Sequence, residues 1–290
     1  MKNFILILSL FVFSFSLFSQ DDVLNIVVIG AHPDDADVTT GGTAIKFAKL
    51  GHKVLFVSVT NGDAGHYAEG GGALAKRRRN EAIEAGKRYG VSYHVMDNHD
   101  GEVMPDLNVR LDIIRLIREW NADVVISHRS NDYHPDHRNT AILIQDAAFM
   151  VIVPNIAPDT PPLKKNPVFL FTQDRFQKPY PFHPDIAVDI SDVYEQKIHG
   201  VAAHESQFFE WLPWLSGRLD EVPSDEKAKL EWLGNQWKRE ITPGIRAALV
   251  KWYGEEKGKK IMIAESFEIS EYGRMPNDDE IRQLFPMLGK

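Results

Sequence analysis

Residues 25–35, with the sequence NIVVIGAHPDD, place a histidine and two aspartates directly after a run of apolar side chains. The apolar run predicts a buried strand, because strands covered on both faces are rich in valine and isoleucine without alternation. A second apolar run, at residues 124–126, is followed by the cluster HPDH at residues 134–137. The carboxyl ends of parallel strands share one edge of an open α/β sheet, so we expect the two clusters to lie together in space.

The alternation of apolar runs and helical patterns continues through the first half of the chain. After the strand at residues 25–30, we predict strands at residues 52–60, 91–96 and 123–127 and helices at residues 41–50, 74–89, 107–120 and 138–150. A glycine-rich loop occupies residues 61–72. Regular alternation of this kind is typical of a parallel sheet covered by helices. The sequence therefore predicts an α/β fold, a Rossmann-like sandwich with a mostly parallel central sheet.

The alternation stops at about residue 154, where a proline-rich segment begins. Beyond it we predict strands at residues 168–172, 186–190 and 260–269, a helix at residues 192–209 and one or two helices within residues 224–253. We expect these elements to form a C-terminal α/β elaboration that covers the site. A chain of 290 residues is within reach of one α/β domain with insertions, so we predict a single domain over residues 21–290.

Residues 1–20 differ in composition from the rest of the chain. Lys2 precedes a short apolar stretch that ends in small serines, which is the layout of a secretory signal peptide. The stretch is shorter than the roughly 20 apolar residues of a membrane-spanning helix, so we expect no stable span after cleavage. The chain contains no cysteine, which excludes disulfides and lipoprotein attachment. We therefore expect an exported protein, periplasmic or extracellular.

Charge and loop composition exclude two classes of partner. The formal net charge of −8 argues against nucleic acid, whose binding proteins neutralise phosphates with basic side chains. The turn at residues 30–35 lacks the glycine pattern that lets a backbone approach a dinucleotide, and its aspartates would repel a phosphate. The sequence makes no prediction of oligomeric state.

The two clusters contain the ligands that a catalytic metal requires. His32, Asp35 and His137 provide two imidazoles and one carboxylate, a set that suits Zn²⁺ and leaves a position for water. Another divalent ion such as Fe²⁺ suits the same ligands. Either cluster alone is equally compatible with simple turn chemistry, because aspartate beside proline commonly builds turns. Two such clusters after matched strands favour the metal site.

The remaining side chains of the clusters are candidates for proton transfer. Asp34 leaves the same turn as Asp35 and is a candidate general base for the activated water. His134 is a candidate proton donor or oxyanion stabiliser, and Asp136 is a candidate partner that orients one of the imidazoles. We therefore predict a metal-dependent hydrolase.

The chain resembles the PIG-L/LmbE-like family of zinc-dependent N-deacetylases at a series of positions. These are the motif AHPDD at residues 31–35, TNGDAG at residues 60–65, Arg78, Glu81, Ala85 and Gly90, the motif DYHPDHR at residues 132–138, VDI at residues 188–190, Lys197, HESQ at residues 204–207 and AESF at residues 264–267. The resemblance implies the same ligands, base and electrostatic stabiliser, and it adds Arg78 as a substrate contact. In the first motif Ala36 stands where the family usually has glutamate, and Asp37 follows.

The resemblance also implies a substrate. Family members remove acetyl groups from N-acetylglucosamine (GlcNAc) units, and export favours a GlcNAc-containing glycan or glycoside outside the cytoplasm. Two alternatives stay open: a zinc amidohydrolase acting on a non-sugar amide, and a catalytically silent glycan-binding protein. Four aromatic residues after the HESQ motif are candidates for a sugar-stacking platform, although packing of the elaboration is the simpler expectation: Phe208, Phe209, Trp211 and Trp214.

Overall fold

The computed structural model describes residues 23–289. The predicted signal peptide, residues 1–20, lies outside the described residues, and the prediction of a single domain stays a prediction. Within residues 23–289, none of the helices is both long enough and apolar enough to cross a lipid bilayer.

The first half of the chain alternates strands and helices as predicted. The elements are β1 (Asn25–Gly30), α1 (Asp35–Lys49), β2 (Lys53–Thr60), α2 (Gly71–Tyr89), β3 (Ser92–Asn98), α3 (Leu107–Glu119), β4 (Val124–Ser127) and α4 (Pro135–Met150).

The C-terminal half adds three strands and several short helices. The elements are β5 (Val168–Thr172), β6 (Ile186–Asp189), α5 (Tyr194–Val201), a π-helical segment (Ser206–Trp211), α6 (Leu212–Leu215), α7 (Glu226–Gln236), α8 (Pro243–Tyr253), α9 (Glu255–Lys260), β7 (Ala264–Ile269) and α10 (Asp278–Leu284), with 3₁₀ turns at Ser191–Val193 and Leu219–Glu221.

The strands form one seven-stranded sheet in the order β3-β2-β1-β4-β5-β7-β6. The strands from β3 to β5 are parallel, whereas β7 pairs antiparallel with both β5 and β6. The predicted α/β fold with a mostly parallel sheet is therefore confirmed. The strand order reverses between β1 and β4, and in such sheets the crevice at the reversal is where ligands bind. These are the two strands that the histidine clusters follow.

Alternating residues of β1 enter two separate apolar cores on the two faces of the sheet. Ile26 and Val28 pack on the face covered by α1 and the C-terminal elements, and Val27 and Ile29 pack on the face covered by α3 and α4. Burial on both faces explains the continuous apolar run in the sequence. This burial also holds β1 in place, and the first histidine cluster follows its carboxyl end.

Several predicted element boundaries are wrong, among them that of the strand predicted at residues 260–269, which begins at Ala264 after helix α9. Helix α1 begins at Asp35, not at residue 41, and α4 begins at Pro135, so both clusters enter helices earlier than predicted. Small and β-branched residues at 39–43 hide the start of α1, because they are weak helix formers. Tertiary packing requires them: a Cβ added to Gly42 would lie 2.8 Å from Ile190. The single helix predicted at residues 192–209 is instead broken between α5 and the π-helical segment.

Candidate metal centre

Both histidine clusters lie at helix N-termini on the carboxyl edge of the sheet. Asp34 is the N-cap residue of α1, and Asp35 lies in its first turn. His134 is the N-cap residue of α4, where its Nδ1 accepts a hydrogen bond from the backbone N–H of Asp136 at 3.2 Å. Proline at the first helical position suits a helix start, because its missing N–H would be unpaired there anyway. In the second cluster, Pro135 thus fixes His134 just outside helix α4.

The three predicted metal ligands converge. His32 Nδ1 lies 3.2 Å from His137 Nε2 and 3.4 Å from Asp35 Oδ2, and His137 Nε2 lies 3.4 Å from Asp35 Oδ1. Zinc–ligand bonds of about 2.0–2.2 Å at tetrahedral angles hold their ligand atoms about 3.3–3.6 Å apart. The two imidazole nitrogens stand near the separation that a tetrahedral ion imposes, and a different oxygen of the Asp35 carboxylate faces each of them, so the residues fit the metal.

The electrostatic environment of this cluster favours positive charge. Burial alone lowers the pKa of His32, but the carboxylates of Asp100, Asp136 and Asp35 hold it well above its ordinary value. Burial alone raises the pKa of Asp35, but the neighbouring imidazoles of His137 and His128 hold it well below its ordinary value. A buried point that stabilises a cation and an ionised carboxylate is what a divalent metal requires.

Each ligand is held by an outer partner. His32 Nε2 faces Asp100 Oδ1 at 3.0 Å and Asp136 Oδ2 at 3.4 Å, and His137 Nδ1 faces Asp132 Oδ2 at 3.2 Å. A carboxylate on the far nitrogen orients a ligating imidazole and increases its basicity. The centre therefore has both the ligands and the supports of a metal site.

His128, which follows β4 directly, is a further outer partner of the centre. It is buried, its Nε2 lies 3.3 Å from Asp35 Oδ2, and its ring stacks on His137 at 4.3 Å. Asp100 went unpredicted, and Asp132 was quoted in a motif without a role. Asp100 follows β3 and His128 follows β4 directly, so the sheet-edge argument that found the two clusters also reaches these residues.

Asp34, the predicted general base, is partly buried, with its side chain 15% exposed, and lies beside the predicted ligands without belonging to them. Burial raises its pKa to about 6, although Arg78 opposes the shift. Its Oδ1 lies 3.5 Å from Arg78 Nη2. A carboxylate with this pKa is ionised at neutral pH yet accepts a proton more readily than an exposed aspartate.

Arg78 lies beneath Asp34 rather than at the surface that a substrate reaches. Its side chain is 2% exposed, and its Nη1 donates to the carbonyl oxygen of Gly62 at 3.1 Å and lies 3.4 Å from Asp100 Oδ2. The guanidinium occupies the space where side chains at Gly62 and Gly65 would otherwise point. In this geometry Arg78 holds Asp34, Asp100 and the glycine-rich loop, and its role as a substrate contact stays a prediction.

His134 and Asp136 have different positions within the second cluster. The ring of His134 lies edge-on to His32 at 4.6 Å, and burial with the neighbouring His32 and His137 lowers its pKa. Asp136 is fully buried and accepts hydrogen bonds from the N–H groups of Gly101 at 2.6 Å and Val103 at 3.2 Å. The geometry suits Asp136 to positioning His32, whereas His134 borders the ligand cluster directly.

Comparison with known proteins places these motifs in a family. The family described as "PIG-L: GlcNAc-PI de-N-acetylase" matches residues 27–148. The diacetylchitobiose deacetylase of Thermococcus kodakarensis is 31% identical over 207 residues, which cover 67% of this chain and 76% of that protein.

Solved structures share the fold. The N,N'-diacetylchitobiose deacetylase of Pyrococcus horikoshii superposes with a TM-score of 0.65 at 24% identity and covers 89% of both chains. GalB of Pseudomonas putida KT2440, a 4-carboxy-2-hydroxymuconate hydratase, superposes with a TM-score of 0.67 at 19% identity over 88% of this chain and 99% of GalB. A deacetylase and a hydratase thus share one fold, so the reaction must be argued from the site.

Proposed function

Because the chain belongs to the PIG-L family, we propose that it is a metal-dependent hydrolase that removes the acetyl group from a GlcNAc unit of a glycan or glycoside. The observation that carries the proposal is the convergence of His32 Nδ1, His137 Nε2 and the Asp35 carboxylate beside a separate, partly buried carboxylate, Asp34. A pure binding protein has no need of a base beside a metal site.

The metal supplies one part of the chemistry and the chain supplies the rest. A divalent ion on this ligand set lowers the pKa of water to about 7 and polarises the acetamide carbonyl. Asp34 takes the proton that the attacking water loses. His134 borders the same space and stabilises the oxygen on which negative charge develops. The departing amine receives its proton from Asp34 or from His134.

Zinc is the metal that the ligand set supports best. Two imidazoles and one carboxylate leave a tetrahedral position open, as in catalytic zinc sites with three protein ligands. Fe²⁺ accepts the same nitrogen and oxygen ligands, so metal content must be measured as well as activity.

Three features support an uncharged, extracytoplasmic glycan as the substrate. The relative from Thermococcus kodakarensis is a deacetylase of diacetylchitobiose, a GlcNAc disaccharide. The aspartates at the site and the net charge of −8 disfavour a phosphorylated substrate. The signal-peptide composition of residues 1–20 supports export, and with it a substrate outside the cytoplasm.

The test is amine release from GlcNAc and short chitooligosaccharides by the protein loaded with one equivalent of Zn²⁺. We expect release that stops on chelation, returns with added Zn²⁺ and is lost in Asp34→Asn, which still binds the metal. Asp112→Asn, an exposed carboxylate change on α3, is the matched control. Release from simple amides but not from sugars would move the substrate to a non-sugar amide. Sugar binding without any release would leave a silent glycan-binding protein.

A further inference from the structure

Aromatic side chains flank the candidate metal centre on both sides along the sheet edge. The first group consists of Tyr67, in the glycine-rich loop after β2, and Trp211 and Trp214 of the C-terminal elaboration. The second group consists of Tyr133, after β4, and Phe176 and Tyr180, after β5. We call them the β2-side group and the β4-side group.

The rings of the β2-side group form a stacked column. Tyr67 stacks on Trp214 at 5.1 Å, and Trp214 stacks on Trp211 at 5.4 Å. Tyr67 and Trp214 are 42% and 46% exposed, whereas the neighbouring Phe208 and Phe209 are buried against α5 and α7. Packing therefore explains the two phenylalanines of the predicted aromatic cluster, but it leaves the tyrosine and the tryptophan half in water.

The β2-side group is held in place by polar contacts beneath it. Gln207 Nε2 donates to the carbonyl oxygen of Gly65 at 2.9 Å, which ties the glycine-rich loop to the elaboration. Glu210 pairs with Arg77 at 2.6 Å and with His66 Nε2 at 2.9 Å. These contacts fix the residues that precede Tyr67 and Trp211, so the column is preorganised.

The β4-side group begins at the metal ligands themselves. Tyr133 is 71% exposed, and its ring lies 5.8 Å from His134 and 6.0 Å from His137. Phe176 lies 6.3 Å from Tyr133, and Tyr180 is 48% exposed. A large aromatic ring so exposed beside a polar centre has no packing role that explains it.

A buried arginine anchors the loop that carries the outer part of this group. Arg129 pairs with both carboxylate oxygens of Asp174, at 2.6 and 2.7 Å, and donates to the carbonyl oxygens of Phe176 at 3.2 Å and Tyr180 at 3.3 Å. Its guanidinium also lies 5.2 Å from the ring of Tyr180. Rigid aromatic side chains on anchored loops give contact area at little entropic cost.

Sheet topology separates the two groups. The order β2-β1-β4-β5 puts the glycine-rich loop on one side of the His32 cluster and the loops after β4 and β5 on the other. Three strand spacings of about 4.8 Å make the distance from β2 to β5 about 14 Å. A single pyranose ring held at the metal centre does not fill such a span.

We propose that the two aromatic groups are sugar-binding subsites on either side of the metal centre, so the preferred substrate is a linear GlcNAc oligosaccharide that is deacetylated at an internal unit. This inference rests on the proposed function. Tyr67 and Trp214 stack on each other and on His66 and Trp211, so the apolar faces of the sugar rings pack on the parts of these side chains that stay exposed. The uncharged chain avoids repulsion by the site's carboxylates. A single sugar ring cannot span the roughly 14 Å between the two groups, whereas a chain of several units can.

The test compares kcat/KM on GlcNAc and on its linear oligomers up to six units, with the position of the lost acetyl group read by mass spectrometry. We expect kcat/KM to rise with length to about four units and the lost acetyl group to be internal. In Trp214→Ala and Tyr180→Ala we expect the ratio of kcat/KM on the tetramer to that on the monomer to fall about 3- to 10-fold. A general loss of stability does not change this ratio. Phe149→Ala removes an exposed aromatic ring at the far end of α4 and is the control.

The outcomes separate this inference from the proposed function. Deacetylation with no dependence on length, or only at a terminal unit, would overturn the two-sided cleft and leave the deacetylase intact. A gain from an octyl aglycone, but not from added sugars, would assign the aromatic groups to an apolar ligand instead. If no substrate is deacetylated, quenching of tryptophan fluorescence by chitotetraose decides. Quenching that weakens in Trp214→Ala supports the subsites without the enzyme, and absence of quenching overturns them.

Discussion

Helix α1 contacts two groups of charged residues that differ in whether each charge has a partner within the protein. In its middle, Lys197 Nζ lies 2.7 Å from Glu265 Oε1, and the Glu265 carboxylate also accepts hydrogen bonds from the N–H groups of Gly42 and Thr43. Lys197 donates in addition to the carbonyl oxygen of Val38. Each charge in this brace, which we define as Lys197 and Glu265, meets an opposite charge or a backbone partner.

At the N-terminus of α1, the charged and polar groups of the candidate metal centre lack a complete set of partners. Lone pairs of His32, His137 and Asp35 face one another at 3.2 to 3.4 Å, and only an added proton or cation can satisfy them together. The brace joins α1 to α5 and β7, so it stabilises the fold by itself. The centre stabilises the fold only once a cation binds. A complete set of hydrogen bonds thus indicates structure, and converging lone pairs indicate a ligand site.

The largest effect is expected when a ligand of the centre is removed. In His137→Ala we expect kcat/KM to fall at least about 1,000-fold, because both the activated water and the polarised carbonyl depend on the metal. Wild type should melt at a higher temperature when Zn²⁺ is added, since a ligand that binds only the folded state stabilises it. This Zn²⁺-dependent increase should vanish in His137→Ala. A variant that keeps both the activity and the increase would remove His137 from the metal site.

The second prediction removes the ion pair of the brace and tests whether the brace stabilises the fold independently of the metal centre. In Glu265→Gln we expect the free energy of unfolding to fall by about 3 kcal/mol, because an unpaired buried lysine remains. For a chain of 290 residues that corresponds to a decrease in melting temperature of about 5 °C. The increase in melting temperature with Zn²⁺ should persist. Its loss in this variant would mean that the brace and the centre are one cooperative unit.

Much of the fold could be predicted from the sequence, because β1 and β4 are buried on both faces and read as uninterrupted apolar runs. The boundary of α1 could not. Its second turn runs through two threonines and two glycines. Packing against Ile190 and hydrogen bonds to Glu265, more than 200 residues away, maintain the helical conformation there. Intrinsic propensity carries no information about such distant partners.

The candidate site also contains residues that could be predicted from the sequence and residues that could not. The two histidine clusters are contiguous in sequence, so the proposed ligands His32, Asp35 and His137 could be predicted together with Asp34 as base. Asp100 comes from the end of a third strand with no motif around it, and only the sheet order brings it to His32. Arg78 was predicted from the resemblance as a substrate contact. A motif identifies such a residue but not the direction of its side chain, and here the side chain lies against Asp34 and Asp100.

The third prediction distinguishes a proposed metal ligand from the residue that supports it. Asp132 touches His137 Nδ1 but is placed outside the ligand cluster. In Asp132→Asn we expect the affinity for Zn²⁺ to fall about 10- to 100-fold, because the imidazole loses orientation and basicity. Activity should return at saturating Zn²⁺, in contrast to His137→Ala. Competition with a zinc-binding dye measures the affinity, and an unchanged affinity would exclude Asp132 as a support.

The smallest effect concerns Arg78, the cation that lowers the pKa of Asp34 most. Burial raises the pKa of Asp34 to about 6, and Arg78, at 3.5 Å, opposes that increase. A base works when ionised, so activity is lost as the pH falls through this pKa. Removing the opposing cation in Arg78→Gln raises the pKa, so the acid limb of kcat/KM should move to higher pH. A bound metal lowers the pKa in both proteins and leaves the direction of the difference unchanged. An acid limb that stays in place, with metal affinity and melting temperature preserved, would show that Arg78 supports only the glycine-rich loop and not the charge of Asp34.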